Sequence, residues 1–355
     1  MSNSLAHMKT PLLASPLLEI QGAVQAEGPD TGVAAHYGDP YAEQRALALS
    51  AGLVDRSHRG VLRITGQDRL SWLHSLTTQD LEHLAPGAAA EALILSPNGH
   101  VEHQLTLADD GTAVWLHVEP GSAGALLEFL ESMRFMLRVE PADVTGEYAV
   151  LTLMGPDAGD PPAGTAIAVR SSLGTDLIVD RGRLAAIAAG LRERGVAPAG
   201  MQAYEALRIA ARRPRLGLDT DHRTIPHEVG WIETAVHLSK GCYRGQETVA
   251  RVHNLGHPPR RLTFLHLDGS DDRLPSHGDP VATADATVGF VGSAARHYEL
   301  GPVGLALIKR TVPVDVPLTA GGIPATQEVV VPPDAGANVK ITLKRPRGLV
   351  GRRPE

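Results

Sequence analysis

The sequence is poor in several features, and each shortage excludes a class of protein. It contains one cysteine, Cys242, in 355 residues, so the chain forms no intrachain disulfide and builds no multi-cysteine zinc or iron–sulfur site. It lacks an apolar run of the roughly 20 residues that a membrane-spanning helix needs, since the early apolar stretch over residues 11–20 is interrupted by Pro16 and Glu19. Aromatic residues make up 4% of the chain and the formal net charge is −7, which leaves little stacking or basic surface for nucleic acid. We therefore expect a cytoplasmic protein that contacts no membrane and binds no nucleic acid directly.

The composition is otherwise typical of a folded protein with several domains. Hydrophobic residues make up 43% and charged residues 21% of the chain, as in ordinary globular proteins. A length of 355 residues exceeds what one hydrophobic core usually supports. We predict four segments: an N-terminal arm over residues 1–33, a first α+β module over 34–146, a second α+β module over 147–257, and a C-terminal β-barrel with a basic tail over 258–355.

A pattern of strand and turn occurs twice. Residues 61–65 alternate and are β-branched, a turn follows at Gly66, and leucines at helical spacing come next. Residues 150–157 echo residues 61–68 at an offset of 89 positions. After the first pattern we expect a three-stranded meander, a helix and a returning strand over residues 136–140. The echo predicts two related α+β modules.

The pattern of hydrophobic and turn-forming residues changes after Pro258 and Pro259. Short β-like runs are separated by glycine, aspartate and proline, which predicts a small barrel or sandwich. These runs cover residues 262–267, 281–283, 287–291 and 303–308. Residues 344–355 are rich in lysine and arginine, and we interpret them as a solvated strand end and tail.

A locally basic segment contains the residues with the clearest chemistry. Residues 205–261 carry ten basic and six acidic side chains, which fits either an anionic ligand or a solvated surface. Within them, Cys242 lies between Lys240 and Arg244, just before a helical pattern over residues 248–254. Neighbouring cations and a helix start both favour the thiolate form. Two interpretations of Cys242 stay open: a reactive thiol, or a small side chain packed as a hydrophobe.

The octapeptide around this cysteine resembles a motif of a known family. Lys240-Gly241-Cys242-Tyr243-Arg244-Gly245-Gln246-Glu247 matches the pattern K-G-C-Y-x-G-Q-E of the YgfZ family, folate-binding proteins related to the glycine-cleavage T-protein, an aminomethyltransferase. The resemblance extends to residues 225–228, 249–251 and 260–262, and to earlier and later runs at 55–57, 66–80, 95–99, 155–156 and 288–293, so it covers roughly residues 17–330. It implies an α+β fold of two ferredoxin-like-type modules and a small C-terminal β-barrel, ringed around a central hole that holds a tetrahydrofolate-type ligand. It also implies partners, namely iron–sulfur enzymes, including those that modify tRNA, or their assembly proteins.

The resemblance also implies which residues bind the ligand. Glu228 occupies the position of the T-protein's folate-binding glutamate, and a carboxylate accepts the adjacent N–H and amino group of a pterin as a planar pair. Arg223, Arg251 or Arg260 is expected to meet the anionic glutamyl tail. Tyr243 is expected at the ligand with the motif loop, whose members are Lys240, Gly241, Cys242, Tyr243, Gly245, Gln246 and Glu247. Cys242 is the predicted reactive residue.

The chain also departs from the T-protein. That protein carries a Gly-Gly-x-x-Asp-Asp run, and residues 99–104 here contain neither aspartate. Glu102 is one position away, and one step along a strand turns a side chain to the opposite face. For the same reason His100 and His103 form no metal pair, and we expect no metal site.

Three functional readings follow. The first is a tetrahydrofolate-binding accessory protein that supports assembly or repair of iron–sulfur enzymes. The alternative is a folate-dependent aminomethyltransferase or methyltransferase that uses Glu102 or another carboxylate. The third is an RNA-binding module that uses the tail, which predicts binding with steep salt dependence.

Overall fold

The computed structural model describes residues 14–337. The basic tail at 344–355 and the first part of the predicted arm lie outside this range. The strands are β1 (Val24–Gln25), β2 (Ala34–His36), β3 (Gly52–Asp55), β4 (Gly60–Thr65), β5 (Ala89–Leu95), β6 (Val101–Asp109), β7 (Ala113–Val118), β8 (Glu140–Asp143), β9 (Tyr148–Met154), β10 (Thr165–Arg170), β11 (Thr175–Asp180), β12 (Ala197–Ala199), β13 (Arg260–Leu267), β14 (Pro280–Ala282), β15 (Thr287–His297), β16 (Gly301–Lys309), β17 (Leu318–Ala320) and β18 (Ile323–Val329). The α-helices are α1 (Pro40–Leu49), α2 (Arg69–Leu76), α3 (Ala123–Ser132), α4 (Leu184–Glu193), α5 (Met201–Ala210), α6 (Trp231–Thr234) and α7 (Gln246–Leu255), and 3-10 turns cover Pro16–Glu19, Gly28–Asp30, Arg181–Arg183 and Pro226–Val229.

The first sheet has the strand order β5-β6-β7-β4-β8. Its apolar side chains, among them Leu62, Leu105 and Leu116, pack against Trp72 of α2 and Leu126 of α3 in one buried cluster. The period-two alternation of the strands places these residues on the helix-covered face. The other face of β5 and β6 is therefore free to line the interior of the molecule.

The predicted strand over residues 136–140 is displaced. The observed strand, β8, begins only at Glu140. Phe135 has a positive φ of 48°, and the Met136 side chain is 99% exposed. The chain therefore turns outward after α3 before it joins the sheet, because a residue in the left-handed region cannot continue a strand.

The second sheet has the strand order β10-β11-β9-β3-β12. Its strand β3 lies earlier in the chain than the whole first sheet, and it pairs with β9 on one side and with the edge strand β12 on the other. Helix α1 also packs against β12 and α5. The segment from α1 to β3, which the sequence assigns to the first module, therefore contributes to the second sheet. Local sequence patterns did not indicate that β3 belongs to the second sheet, because strand pairing joins residues that are far apart in the sequence. The boundaries at residues 33, 146 and 257 stay predictions.

The sequence echo corresponds to equivalent places in the two sheets. Strands β4 and β9 each pair with the strand that precedes a covering helix, β7 and β11 respectively. Gly66 and Gly155 follow them with φ of 108° and 101°. A Cβ at Gly66 would lie 2.0 Å from the carbonyl oxygen of Arg138, and one at Gly155 would lie 2.3 Å from that of Ser50. Both turns therefore need glycine for the same reason, a close approach to backbone.

The C-terminal part closes into a barrel of strand order β13-β16-β15-β14-β17-β18, which confirms the predicted barrel and, with the two sheets, the α+β class. Strand β15 is longer than the predicted run because a bulge after Val291 lets it continue to His297. Between residues 14 and 337 no helix is long and apolar enough to cross a membrane.

Candidate functional site

A cavity opens between the two sheets, and we call it the central cavity. Its outer chamber has a volume of about 530 Å³ and its inner chamber about 70 Å³. Glu91, Thr106, Ser171, Ser172 and Arg213 line both chambers, so the two adjoin. The first sheet, the turn between β10 and β11, and the segment after α5 therefore build one site together.

The first sheet supplies a polar wall to this cavity. Glu91 on β5 lies directly opposite Thr106 on β6, and Gln104 lies one pair further along the same face. Ala92 and Leu105, their strand neighbours, point into the helix-covered core. Arg213 donates a hydrogen bond to Oε1 of Glu91. A carboxylate, a hydroxyl and an amide thus face one space.

Buried charged side chains line the inner chamber. Arg56 donates to Asp176 at 3.0 Å, and Nε2 of His117 lies 2.9 Å from the same carboxylate. Arg59 donates to Nδ1 of His117 at 2.9 Å and to Glu119 at 2.6 Å. Burial, together with Arg59, lowers the pKa of His117 to about 4. The ring is therefore neutral, with its proton on Nε2 directed at Asp176.

Arg215 joins these charges to other parts of the chain. Its guanidinium donates to Asp30 at 2.7 and 3.1 Å, to Glu119 at 2.7 Å and to Glu205 at 3.4 Å. Burial alone would lower the pKa of Arg215, but Glu119, Glu205 and Asp30 raise it well above its ordinary value. One side chain therefore ties the N-terminal segment, the first sheet and α5 together.

Arg208 extends the same network to the barrel. It donates to Asp219 at 2.8 Å and to the hydroxyl of Ser293 on β15 at 2.9 Å, and it pairs with Glu205 at 2.6 Å. We call the set the junction network; it consists of Asp30, Arg56, Arg59, His117, Glu119, Asp176, Glu205, Arg208, Arg215, Asp219 and Ser293. Sequence analysis missed it. Two features of the sequence pointed to these regions: the family resemblance at residues 55–57 and the positive charge of residues 205–261. Neither feature indicates which side chains form ion pairs with each other.

The motif loop is anchored to the first sheet's domain. The ammonium of Lys240 donates to the carbonyl oxygens of His74, Thr77 and Gln79, the last two at 2.6 and 3.1 Å. These carbonyls lie at the C-terminal end of α2, where a cation is favourable. The Lys240 cation is thus bound to backbone oxygens, and the Cys242 thiol is exposed.

The remaining motif residues also make packing and pairing contacts. Tyr243 is buried in the cluster that includes Leu95 and Trp231, and burial raises its pKa to about 12. Gly245 has φ 82°, and a Cβ there would lie 2.6 Å from the carbonyl oxygen of Ser96. Helix α7 starts at the next residue, Gln246, as the sequence predicts within two positions. Close backbone contact with the β5–β6 turn explains this glycine.

The predicted folate residues do not meet at the central cavity. The Glu228 side chain is fully buried, and Arg260 donates to both of its oxygens at 2.8 and 2.9 Å. The backbone N–H of Ile225 donates to it at 3.1 Å. Arg223 is exposed, and the exposed Arg251 pairs with Glu247 at 2.6 Å. Neither these side chains nor Tyr243 lines the cavity, so their roles stay predictions.

Comparisons with known proteins bear on this arrangement. The family model of the GCVT N-terminal domain matches residues 22–161. The aminomethyltransferase of Rubrobacter xylanophilus is 30% identical over 295 residues, 75% of this chain and 78% of that protein. The chain belongs to the aminomethyltransferase family. The aminomethyltransferase of Shouchella clausii is 29% identical over 85% of this chain and 91% of its own length.

A solved aminomethyltransferase shares the architecture. The glycine cleavage system aminomethyltransferase T from Bartonella henselae superposes with a TM-score of 0.78 at 19% identity and covers 91% of this chain and 98% of that one. This match confirms the three-domain T-protein fold. Aminomethyltransferases of this family bind tetrahydrofolate as substrate or cofactor.

Glu102, the candidate substitute for the absent aspartates, lies outside the central cavity. Its carboxylate is exposed and pairs with Arg244 of the motif loop at 2.9 Å. Ile94 pairs with His103 and Leu95 pairs with Val101, so Glu102 is the extra, unpaired residue of a bulge in β6. Among the described residues, no group of three or more His, Cys, Asp or Glu side chains is placed to hold a metal ion.

Proposed function

We propose that this chain binds a reduced folate in the central cavity and acts as an accessory protein of the YgfZ type, which supports assembly or repair of iron–sulfur enzymes in the cytoplasm. The observation that carries the folate part is the polar wall of the central cavity, where Glu91 and Thr106 line the outer chamber of about 530 Å³ and Gln104 lines the inner one. The family's aminomethyltransferases bind tetrahydrofolate. The YgfZ-type role rests on the motif loop, and it names iron–sulfur enzymes or their assembly proteins as partners.

The cavity fits this ligand in size and in chemistry. Binding pockets for small molecules and cofactors usually measure roughly 300–1,000 Å³. A pterin presents donors and an acceptor along one edge, and the wall offers a carboxylate, an amide and a hydroxyl on one face. The inner chamber of about 70 Å³ has room for about two water molecules. The ligand therefore belongs in the outer chamber.

Aminomethyl transfer by Glu102 is disfavoured by the place of its carboxylate, and the accessory role rests on the motif loop. A transfer catalyst needs a base within hydrogen-bond reach of the reacting group. Glu102, the carboxylate nearest in sequence to the missing aspartates, is paired with Arg244 outside the cavity. Formation of methylenetetrahydrofolate from an aminomethyl donor, abolished by Glu102→Gln, would favour the transferase instead.

Folate binding predicts stabilisation against heat. A ligand that binds only the native state raises the free energy of unfolding by about 2.7 kcal/mol at a hundredfold excess over its dissociation constant. We expect 5-formyltetrahydrofolate to raise the melting temperature of the purified full chain. Glu228→Gln tests the sequence-based assignment, because loss of the shift in a folded variant would place Glu228 at the ligand. No shift at millimolar folate would contradict the proposal.

The motif cysteine is expected to matter for activity and not for stability. Cys242 is exposed, so Cys242→Ala removes no buried contact and should change the free energy of unfolding by less than about 0.5 kcal/mol. We expect the variant to fail to complement a strain that lacks its native folate-binding accessory factor. Leu191→Ala, which removes a buried side chain from the core under the second sheet, serves as a control for loss of stability without loss of the thiol. Full complementation by Cys242→Ala would refute the thiol role.

A further inference from the structure

We infer that a second cavity, between the N-terminal segment, α5 and the barrel, binds a small molecule that has an apolar body and one carboxylate, and that Arg296 receives this carboxylate. We call it the second cavity. It has a volume of about 540 Å³ and shares no lining residue with either chamber of the central cavity. Pockets for small molecules usually measure roughly 300–1,000 Å³. The inference is therefore independent of the proposed function.

The walls of the second cavity are largely apolar. Three parts of the chain supply them, namely the N-terminal segment, the region of α5 and the barrel. Small and large apolar side chains alternate in the lining, which includes Ala26, Pro29, Ala35, Met201, Leu218, Leu274, Ala294 and Ala295. An apolar ligand body gains free energy when such walls remove it from water. The lining therefore favours a ligand whose larger part is hydrocarbon.

The barrel wall of this cavity is fixed by the junction network. Gly292, a lining residue, is the extra residue of the bulge in β15, and a Cβ there would lie 2.3 Å from Oδ1 of Asp219. The hydroxyl of Ser293, the next lining residue, donates to Asp219 at 2.6 Å and accepts from Arg208 at 2.9 Å. This wall is thus ordered before a ligand binds, which reduces the entropic cost of binding.

Arg296 provides an anchor for an anionic group. Among the described residues that line the second cavity, it alone is an arginine or a lysine. Its Nη1 is shielded from solvent and has no hydrogen-bond partner in the described part of the chain. Its Nη2 donates to the carbonyl oxygen of Asp272 at 2.6 Å and pairs with the Asp272 carboxylate at 2.8 Å.

The pairing of Arg296 with Asp272 is easily exchanged. The Asp272 side chain is 92% exposed, and an ion pair with so exposed a partner contributes little. A guanidinium forms two parallel hydrogen bonds with a carboxylate. A ligand carboxylate that replaces Asp272 would therefore also supply the acceptor that Nη1 lacks.

The carboxylates in the lining do not favour a cationic ligand. Asp30 and Glu205 both accept hydrogen bonds from Arg215, so their charges are already compensated. Glu27 is exposed, and water solvates it. Arg296, by contrast, has an unused donor. Charge complementarity therefore favours a carboxylate over an amine as the polar group of the ligand.

Calorimetric titration of the full chain with three ligands of equal length tests the site. The probes are octanoate, 1-octanol and octylammonium, which share the apolar body and differ in the head group. We expect octanoate to bind about tenfold more tightly than either of the others, because only its head group pairs with the guanidinium. In Arg296→Gln, octanoate should bind no more tightly than octanol does.

Two tryptophan variants locate the binding. Gln202→Trp fills the second cavity and should abolish binding of octanoate. Glu193→Trp, at an exposed position on α4 outside both cavities, adds the same bulk and should bind octanoate as the wild type does. Melting temperatures establish that each variant is folded.

The outcomes decide the inference without involving folate. Failure of the wild type to bind octanoate overturns it, as does octanoate binding that persists in a folded Gln202→Trp variant. Tighter binding of octylammonium than of octanoate would show that the carboxylates select the ligand, and it would overturn the ligand class. An unchanged octanoate affinity in Arg296→Gln would overturn the role of Arg296.

Discussion

Replacing Arg215 with methionine is expected to lower the free energy of unfolding by about 3–5 kcal/mol, the usual cost of removing one partner from a buried charge cluster. The Arg215 side chain is 5% exposed and contacts Asp30, Glu119 and Glu205. Its loss leaves these carboxylates in a buried setting with fewer cations. Chemical denaturation of the full chain, followed by circular dichroism, measures the effect.

A surface pair provides the matched control for Arg215. Arg251 and Glu247 form an ion pair on α7 with side chains 68% and 85% exposed. Arg251→Met should cost no more than about 0.5 kcal/mol. If Arg215→Met proved as stable as Arg251→Met, the junction network would not be what holds the N-terminal segment, the first sheet and α5 together.

Acidification from pH 7 to pH 4 is expected to destabilise the protein by several kcal/mol. Burial lowers the pKa of His103, His117 and His227 to about 4, from 6.5 in the unfolded chain. Between these values the unfolded chain binds more protons than the folded one, so stability falls as the pH falls. For His117 alone the shift corresponds to about 3 kcal/mol, which is fully present above pH 6.5.

Two comparisons identify His117 as a source of this pH dependence. His117→Gln removes one of the three titrating groups and should reduce the slope of unfolding free energy against pH between 4 and 6.5, because His103 and His227 remain. His222→Asn, at an exposed position, should leave the slope unchanged. The carboxylate of Asp30, whose pKa is lowered to about 2 even though burial alone would raise it, loses its contribution only at lower pH. An unchanged slope in His117→Gln would contradict the neutral, buried state assigned to this ring.

The sequence predicted individual strands better than it predicted which strands and side chains contact each other. Strands β4 and β9 were predictable because their alternation and the glycines after them are local signals. The place of β3 in the second sheet was not, since it depends on pairing with β9 about a hundred residues away. The same limit applies to the site. The contact between Arg215 and Asp30 spans 185 positions, and no local pattern indicates it.

Two residues of the motif loop have structural roles that the sequence did not indicate. From the sequence, Lys240 was interpreted as a cation that favours the thiolate of Cys242, and Gly245 as part of a loop at the ligand. In the structure, Lys240 binds the carbonyls at the end of α2, and Gly245 allows contact with the β5–β6 turn. The wall residue Glu91 gave no signal in sequence, because one glutamate in an alternating strand is typical of a solvated face.

Titration calorimetry on variants in which a tryptophan fills one cavity tests most directly whether the folate binds between the two sheets. The account predicts that 5-formyltetrahydrofolate binds the wild type and that Thr106→Trp, which fills the central cavity, abolishes binding. The second cavity lies between α5 and the barrel and is lined by Gln202. Gln202→Trp fills it and should leave binding intact. Binding that survives Thr106→Trp in a folded variant, or that is lost in Gln202→Trp instead, would contradict the placement of the folate between the two sheets.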